Sequence, residues 1–104
     1  MLYEIREYVA VPGRLPDLLE AFRVNEKGIF AKHGFTFVRA GRTLVGDHSF
    51  NELVCIVEWE DMAHLERSWN AVFADPEWAA RLQEEEADGP LVQSMKRRFL
   101  AGLD

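Results

Sequence analysis

The chain repeats one pattern of strand, helix and strand in each of its halves, and this repeat restricts the folds open to it. An alternating segment of about Leu2 to Ala10 leads through Pro12 and Gly13 into a helix whose apolar residues recur every three or four positions. A second alternating segment, about Phe50 to Glu60, again leads into helical periodicity. The predicted order is β-α-β-β-α-α-β. It indicates an α+β, ferredoxin-like fold, with a four-stranded antiparallel sheet and the helices on one face.

The ends of the predicted helices carry capping residues. The first helix is expected from near Arg14 to Gly34, the second after the N-cap candidate Asp61, and the third after Asp75 with Pro76 in its first turn. The first helix has one apolar stripe, which predicts that it lies against a sheet. The stripe consists of Leu15, Leu18, Leu19, Phe22 and Ile29.

Length and composition point to one globular domain over residues 1–104. Hydrophobic residues make up 48% and charged residues 29% of the chain, and a net charge of -6 disfavours nucleic acid as a partner. The longest aliphatic run, Leu53 to Val57, is too short to span a membrane, so no membrane partner is expected. Cys55 is the only cysteine, which excludes an intramolecular disulfide and fits a reducing compartment. We therefore expect a cytoplasmic protein.

Five short motifs, taken in order and spacing, resemble the NIPSNAP domain family. They are YEIR at 3–6, PGRLP at 12–16, KHG at 32–34, EW at 58–59 and DPEW at 75–78. The resemblance covers nearly the whole chain. It implies a dimeric α/β barrel, in which two ferredoxin-like monomers join through their open sheet faces. It also implies kinship with antibiotic-biosynthesis monooxygenases, muconolactone isomerases and haem-degrading enzymes, but no settled reaction.

The residues themselves also favour a homodimer. Helices cover only one face of such a sheet, and the other face is expected to carry more apolar surface than a monomer leaves in water. The side chains expected there are Tyr8, Val54, Ile56, Val92 and Leu100. A second copy is the simplest cover, because two-fold dimers are the commonest assemblies.

Glu26 and His33 are the candidate catalytic residues. Both lie on the apolar side of the first helix, seven residues apart, so one could act as an acid and the other as a base. In the alternative, Glu26 lies at the edge of the stripe and reaches water, and His33 meets the exposed carbonyls of the helix end.

Arg6 and Glu58 are candidate ligand-binding residues. Each is central in its strand and is expected on the open face, where the two could pair across the sheet or across the dimer. Such a pair could bind a polar group of a ligand. The alternative is that it only sets the orientation of the two subunits.

Trp59 and Trp69 are the aromatic candidates for a binding pocket. Together with Trp78 and several phenylalanines they could surround a small hydrophobic or aromatic ligand. The alternative is that these rings simply form the core, as aromatic residues at strand and helix spacing commonly do.

No motif indicates a metal or another cofactor. His48 and His64 are expected in solvent, and neither belongs to a metal-binding spacing; glycine-rich nucleotide loops and nucleophile motifs are also absent from the sequence. Three hypotheses remain: a homodimeric small-molecule-binding module, a cofactor-independent monooxygenase or isomerase acting on a small aromatic or hydrophobic substrate, and a purely structural dimerisation domain. A cavity lined by Glu26, His33 and aromatic residues favours the first two.

Overall fold

The computed structural model describes residues 1–103, which form four strands and three helices. In chain order these are β1 (Leu2–Ala10), α1 (Leu15–Asn25), β2 (Thr36–Arg42), β3 (Glu52–Trp59), α2 (Met62–Ala74), α3 (Pro76–Glu85) and β4 (Val92–Ala101). The strands form one sheet in the order β2-β3-β1-β4, and all its neighbours are antiparallel. The predicted ferredoxin-like order of elements is confirmed. Within residues 1–103, no helix combines the length and the apolar character needed to cross a membrane.

The register of the central strands defines two faces of the sheet. Arg6 of β1 lies opposite Cys55 of β3 and Arg97 of β4, so these three side chains share one face. The helices cover this face, and it holds the buried positions of β3, which are Leu53, Cys55, Val57 and Trp59. The second face is open. By the same alternation it carries Tyr3, Ile5, Val9, Val54, Ile56, Glu58 and Leu100.

Three side chains expected on the open face lie on the covered face instead. They are Arg6, Tyr8 and Val92; Tyr8 and Val92 pack against one of the two core clusters. Glu58 is on the open face, opposite Tyr3, so the predicted pairing of Arg6 with Glu58 across one sheet is wrong. The error arises because both faces of β1 mix apolar and charged residues, and hydrophobicity alone does not rank them.

The core consists of two clusters between the helices and the covered face. The larger one contains Ile29, Phe30, Phe35, Val57, Trp59, Leu65, Trp69 and Val72. The smaller one contains Ala10, Leu15, Leu18, Ala21, Leu53 and Leu91. Aromatic rings meet edge to face in the first cluster, for example Phe35 and Trp69 with centroids 4.8 Å apart. The apolar positions of the predicted helical stripe therefore do face the sheet.

The first helix does not continue regularly to Gly34, as expected. α1 ends at Asn25, and Glu26–Phe30 forms a wider π-helical segment before the chain turns. Gly34 ends the turn at φ +83°, where a Cβ atom would stand 3.3 Å from Oγ of Ser68. Glycine is required there by its backbone angle and by this close approach. The π segment inserts an extra residue into a turn, and periodicity over so few residues does not reveal it.

Both predicted N-caps are confirmed. The carboxylate of Asp61 accepts a hydrogen bond from the backbone N–H of His64 at 2.8 Å at the start of α2. Asp75 accepts one from the N–H of Glu77 at 3.0 Å at the start of α3, with Pro76 at the first helical position. These caps fix where the two helices begin and so place their aromatic residues over the sheet.

A candidate ligand-binding cavity

A cavity of about 260 Å³ lies between the covered face of the sheet and the three helices. Its walls are largely apolar and include aromatic rings from four elements: α1 contributes Phe22, β2 contributes Phe37, α2 contributes Trp69 and Phe73, and α3 contributes Trp78. Its floor is formed by β1 and β3 and includes Arg6, Tyr8 and Cys55. An apolar cavity with a few polar groups on one side is the usual form of a small-molecule site.

Arg6 supplies the charge on the cavity floor. Its side chain is 11% exposed, and its Nη1 donates to Oε2 of Glu4 at 2.7 Å. Its Nε donates to the hydroxyl of Tyr8. The guanidinium carbon lies 4.7 Å from the ring centroid of Trp69 and 5.3 Å from that of Tyr8, which are cation–π distances. The orientation of this guanidinium is therefore set by four contacts.

Glu4 is fully buried and joins the cavity floor to the core. Its Oε1 accepts hydrogen bonds from the indole N–H groups of Trp59, at 3.0 Å, and Trp69, at 3.4 Å. Its Oε2 accepts from Arg6 and from Nε of Arg97 at 2.5 Å. Burial alone raises the pKa of Glu4, but the hydrogen bond and charge of Arg6, with the hydrogen bonds of Arg97 and Trp59, outweigh it, and the pKa is lowered. Glu4 is therefore an ionised carboxylate at neutral pH.

Hydrophobicity alone does not predict the buried position of Glu4. The signal lay in β1, where Glu4 and Arg6 stand two residues apart and so share one face of the strand. Opposite charges at that spacing can neutralise each other, and a face that carries them can be buried.

The two nucleophilic side chains on the floor are protonated at neutral pH. Burial raises the pKa of the Tyr8 phenol, although the positive charge and hydrogen bond of Arg6 act against this. Burial also raises the pKa of the Cys55 thiol to about 12, with Arg6 again opposing. Cys55 is thus a buried, apolar residue in this state, as expected for the single cysteine.

The predicted pair of Glu26 and His33 is not brought together. Glu26 lines a separate groove between α1 and β2, beside Arg23 and Arg42. His33 is at the other end of the π segment, where its Nε2 lies 2.7 Å from Oδ2 of Asp75. Neither side chain lines the 260 Å³ cavity. Their catalytic roles stay a prediction.

The four predicted ligand-binding residues divide between three places. Arg6 and Trp69 line the cavity, as their predicted role requires. Trp59 is 0% exposed in the core beneath it and donates its N–H to Glu4. Glu58 lies on the open face of the sheet, away from the cavity. Ligand binding by each of them remains a prediction.

His64 holds a structural position rather than lying free in solvent as expected. Its Nδ1 accepts a hydrogen bond from the backbone N–H of Glu60 at 3.1 Å, and its Nε2 lies 3.1 Å from the carbonyl oxygen of Gly34. Its ring also meets Trp59 edge to face. Among residues 1–103, no three His, Cys, Asp or Glu side chains are grouped as a metal ion would require.

His33 belongs to a charged cluster that ties the end of the first helical region to α3. Oδ2 of Asp75 accepts from Nζ of Lys32 at 2.8 Å and lies 2.7 Å from Nε2 of His33. The hydrogen bond of Lys32, followed by those of His33 and the Glu77 backbone, lowers the pKa of Asp75 well below its usual value. The cluster can therefore stabilise the fold only while Asp75 is ionised.

Replacing Asp75 by asparagine is expected to lower stability at pH 7, and the difference from the wild type should shrink in acid. Asparagine keeps an acceptor for Glu77 but loses the charge facing Lys32 and His33. Because the pKa is lowered in the folded state, the contribution of the carboxylate is complete above the usual Asp pKa of 3.8 and is lost as pH falls through the folded-state pKa. Urea midpoints of the two proteins at pH 7 and at several pH values below 4 measure this difference in stability. Asp47→Asn in the exposed hairpin is the control. A difference between wild type and Asp75→Asn that does not change with pH would contradict the stabilising role of the Asp75 carboxylate.

Comparison with known proteins agrees with this architecture. The NIPSNAP family model matches residues 3–104. A NIPSNAP domain protein from Burkholderia xenovorans superposes with a TM-score of 0.84 at 22% identity, over 98% of this chain and 94% of that one. A NIPSNAP family protein from Agrobacterium tumefaciens gives a TM-score of 0.84 at 18% identity, over 99% and 93% of the two chains.

A more distant similarity is to SnoaB from Streptomyces nogalater, described as a cofactor-independent oxygenase. Its TM-score is 0.64 at 17% identity, over 99% of this chain and 93% of that one. At these identities the solved structures support a shared fold. No curated protein sequence matches the chain.

The sheet order and the helices on one face define an α+β protein of the ferredoxin-like class. The match to the family model over residues 3–104 then assigns the chain to one family within this class. The chain belongs to the NIPSNAP family.

Proposed function

We propose that the protein is a homodimeric module that binds a small hydrophobic or aromatic molecule in the cavity between sheet and helices. The cavity itself is the observation that carries this proposal: it has about 260 Å³ of space beside aromatic walls and one oriented cation. A cavity of about 150 Å³ is enough for a benzene ring. The space therefore suits a ligand of one or two rings. A purely structural domain has no need of such a cavity, since filling it with side chains would add stability.

The open face of the sheet supports the dimer. Ile5 and Ile56 lie directly opposite each other at its centre, and Leu100 of β4, which lies opposite Tyr3, is 46% exposed. Tyr3, Val9 and Val54 extend this apolar area along the central strands. A self-complementary pairing of this face, burying about 1,600 Å² in total, would remove it from water.

Replacing Val54 by glutamate is expected to convert the dimer into a monomer. Val54 lies opposite Glu7 of β1 and Gly41 of β2, so each new carboxylate would enter a two-fold interface beside another negative charge and with no cation opposite it. Sedimentation velocity over a range of protein concentrations measures the change. Val24→Glu is the matched control, because Val24 is an exposed residue of α1 on the opposite side of the molecule. A wild-type protein that stays monomeric at high concentration would contradict the homodimer.

Native mass spectrometry of protein purified from its own host tests the complete proposal. It reports the number of subunits and the mass of any small molecule that they retain. A dimer carrying one small molecule per subunit supports the proposal. An empty protein that also binds none of a panel of one- and two-ring aromatic compounds would contradict ligand binding.

A cofactor-independent monooxygenase or isomerase is the second candidate function. The indole and phenol groups around the cavity suit an aromatic substrate, and the structural neighbour SnoaB carries the description of a cofactor-independent oxygenase. Glu26 or His33 would then move protons after a rearrangement that brings one of them to the substrate. Oxygen consumption with a hydroxylated naphthalene, compared between the wild type, Glu26→Gln and His33→Gln, tests this candidate. Turnover that is the same in all three proteins would contradict these roles.

The proposed location is the cytoplasm. The single cysteine is unpaired and buried, which suits a reducing compartment.

A further inference from the structure

The charges beneath the cavity do not balance. Glu4 contributes one negative charge, whereas Arg6 and Arg97 contribute two positive charges, and both guanidinium groups bind the same oxygen of Glu4. Two more charged residues line the cavity, at the α3 side. Glu85 is already paired with Arg81 at 2.9 Å and accepts from Asn25 at 2.8 Å, and Glu86 is exposed to solvent. The cluster of Glu4, Arg6 and Arg97 therefore carries a net positive charge.

Arg6 is the member of this cluster that lines the cavity. Arg97 is 37% exposed and can be solvated by water, whereas Arg6 is 11% exposed. Nε and Nη1 of Arg6 are occupied by Tyr8 and Glu4, and among residues 1–103 no hydrogen bond uses its Nη2. A guanidinium held in place in this way, with donor capacity remaining, is suited to an anionic oxygen.

We propose that the ligand of this cavity is a small aromatic acid, whose ring lies among the aromatic walls and whose carboxylate binds Arg6. The inference rests on the proposed ligand-binding function and adds the charge of the ligand to it. Glu4, Arg6 and Arg97 together carry a net positive charge, so a carboxylate placed against Arg6 in these low-dielectric surroundings is attracted by that charge. A neutral molecule of the same shape fills the cavity but is not attracted by this charge.

Two probes of the same size separate charge from shape: 2-naphthoate and 2-naphthamide. Isothermal titration calorimetry at pH 7 is expected to give the wild-type protein a dissociation constant about tenfold or more lower for naphthoate than for naphthamide. In Arg6→Gln the two constants should come within about threefold of each other, chiefly because naphthoate binds more weakly. Arg67→Gln is the control, since it removes the same charge from an exposed position of α2 that does not line the cavity.

Each outcome decides between the inference and the function on which it rests. Equal binding of both probes by the wild type would overturn the anionic ligand and leave the binding function standing. Binding of neither probe would overturn both. A preference that survives in Arg6→Gln would overturn the assignment to Arg6.

A second measurement keeps the inference testable if Arg6→Gln does not fold. In the wild-type protein labelled with ¹⁵N arginine, naphthoate should shift the Nε resonance of Arg6 and naphthamide should not. Naphthoate binding that leaves this resonance unchanged would overturn the inference. Arg6→Lys should keep the preference for naphthoate, because it keeps the charge.

Discussion

Replacing Glu4 by alanine is expected to lower the free energy of unfolding by about 3–5 kcal/mol, the usual cost of removing one partner from a buried ion pair. The change would leave Arg6 in a covered position without its carboxylate and would remove the acceptor of the Trp59 and Trp69 indole groups. An unsatisfied buried donor adds to the cost of an unpaired charge. Urea unfolding at pH 7, followed by tryptophan fluorescence, measures the difference; one fixed protein concentration should be used because dimerisation would couple to stability.

Glu66→Ala is the control for the Glu4 prediction. Glu66 is exposed on α2, and its replacement should change the free energy of unfolding by no more than about 0.5 kcal/mol. A second readout uses acid. The pKa of Glu4 is lowered in the folded state, so its contribution is complete above the usual Glu pKa of 4.5 and is lost as pH falls through the folded-state pKa. A Glu4→Ala protein as stable as the Glu66→Ala protein at pH 7 would show that the carboxylate does not hold this network together.

Replacing Trp69 by alanine is expected to lower the free energy of unfolding by about 3–5 kcal/mol, as for other buried aromatic residues. Trp69 is 9% exposed and contacts Phe30 and Phe35 in the core, and its ring also carries the guanidinium of Arg6. Its loss would also enlarge the cavity, so impaired ligand binding in this variant alone would not identify a ligand contact. Trp69→Phe retains most of the packing and loses the indole N–H, and about 1–2 kcal/mol is expected for it.

Phe73→Ala is the comparison for Trp69→Ala, because it alters the cavity wall without removing a core residue. Phe73 stacks on Trp69 with ring centroids 5.5 Å apart and lines the same cavity, but it is 64% exposed. We expect Phe73→Ala to lower the free energy of unfolding by less than about 1 kcal/mol, because little area is returned to water. Chemical denaturation of the three variants under one set of conditions gives the comparison. A Trp69→Ala protein as stable as Phe73→Ala would contradict the placement of Trp69 in the core.

The order of the elements could be predicted from the sequence because it depends on local signals. The alternation of β3, the caps Asp61 and Asp75, and the stop at Gly34 are all encoded within a few residues of where they act. The structure reproduces each of them. A ferredoxin-like sheet then follows from the order of strands and helices, since few connections are compatible with it.

The candidate site could be predicted only in part, because it depends on contacts between distant residues. Glu4 accepts hydrogen bonds from residues 55, 65 and 93 positions away in the chain. The sequence around Glu4 does not predict that these partners are Trp59, Trp69 and Arg97. The sequence predicts Arg6 as a ligand-binding residue but places it on the wrong face of its strand. Helical spacing predicts the pair of Glu26 and His33, but the π segment that begins at Glu26 changes the direction of the residues after it.

The buried cluster beneath the cavity also limits how a protein with this fold can acquire a new ligand preference. Arg6 and Trp69 meet the cavity and at the same time hold Glu4, so substitutions on the floor alter recognition and folding together. Phe73 lies at the exposed side of the cavity, so a substitution there can alter ligand recognition with little effect on folding. Among proteins with this fold, substitutions should therefore concentrate at the exposed edge of the cavity, where they do not cause loss of the native state. Glu4 and Arg6 should be retained.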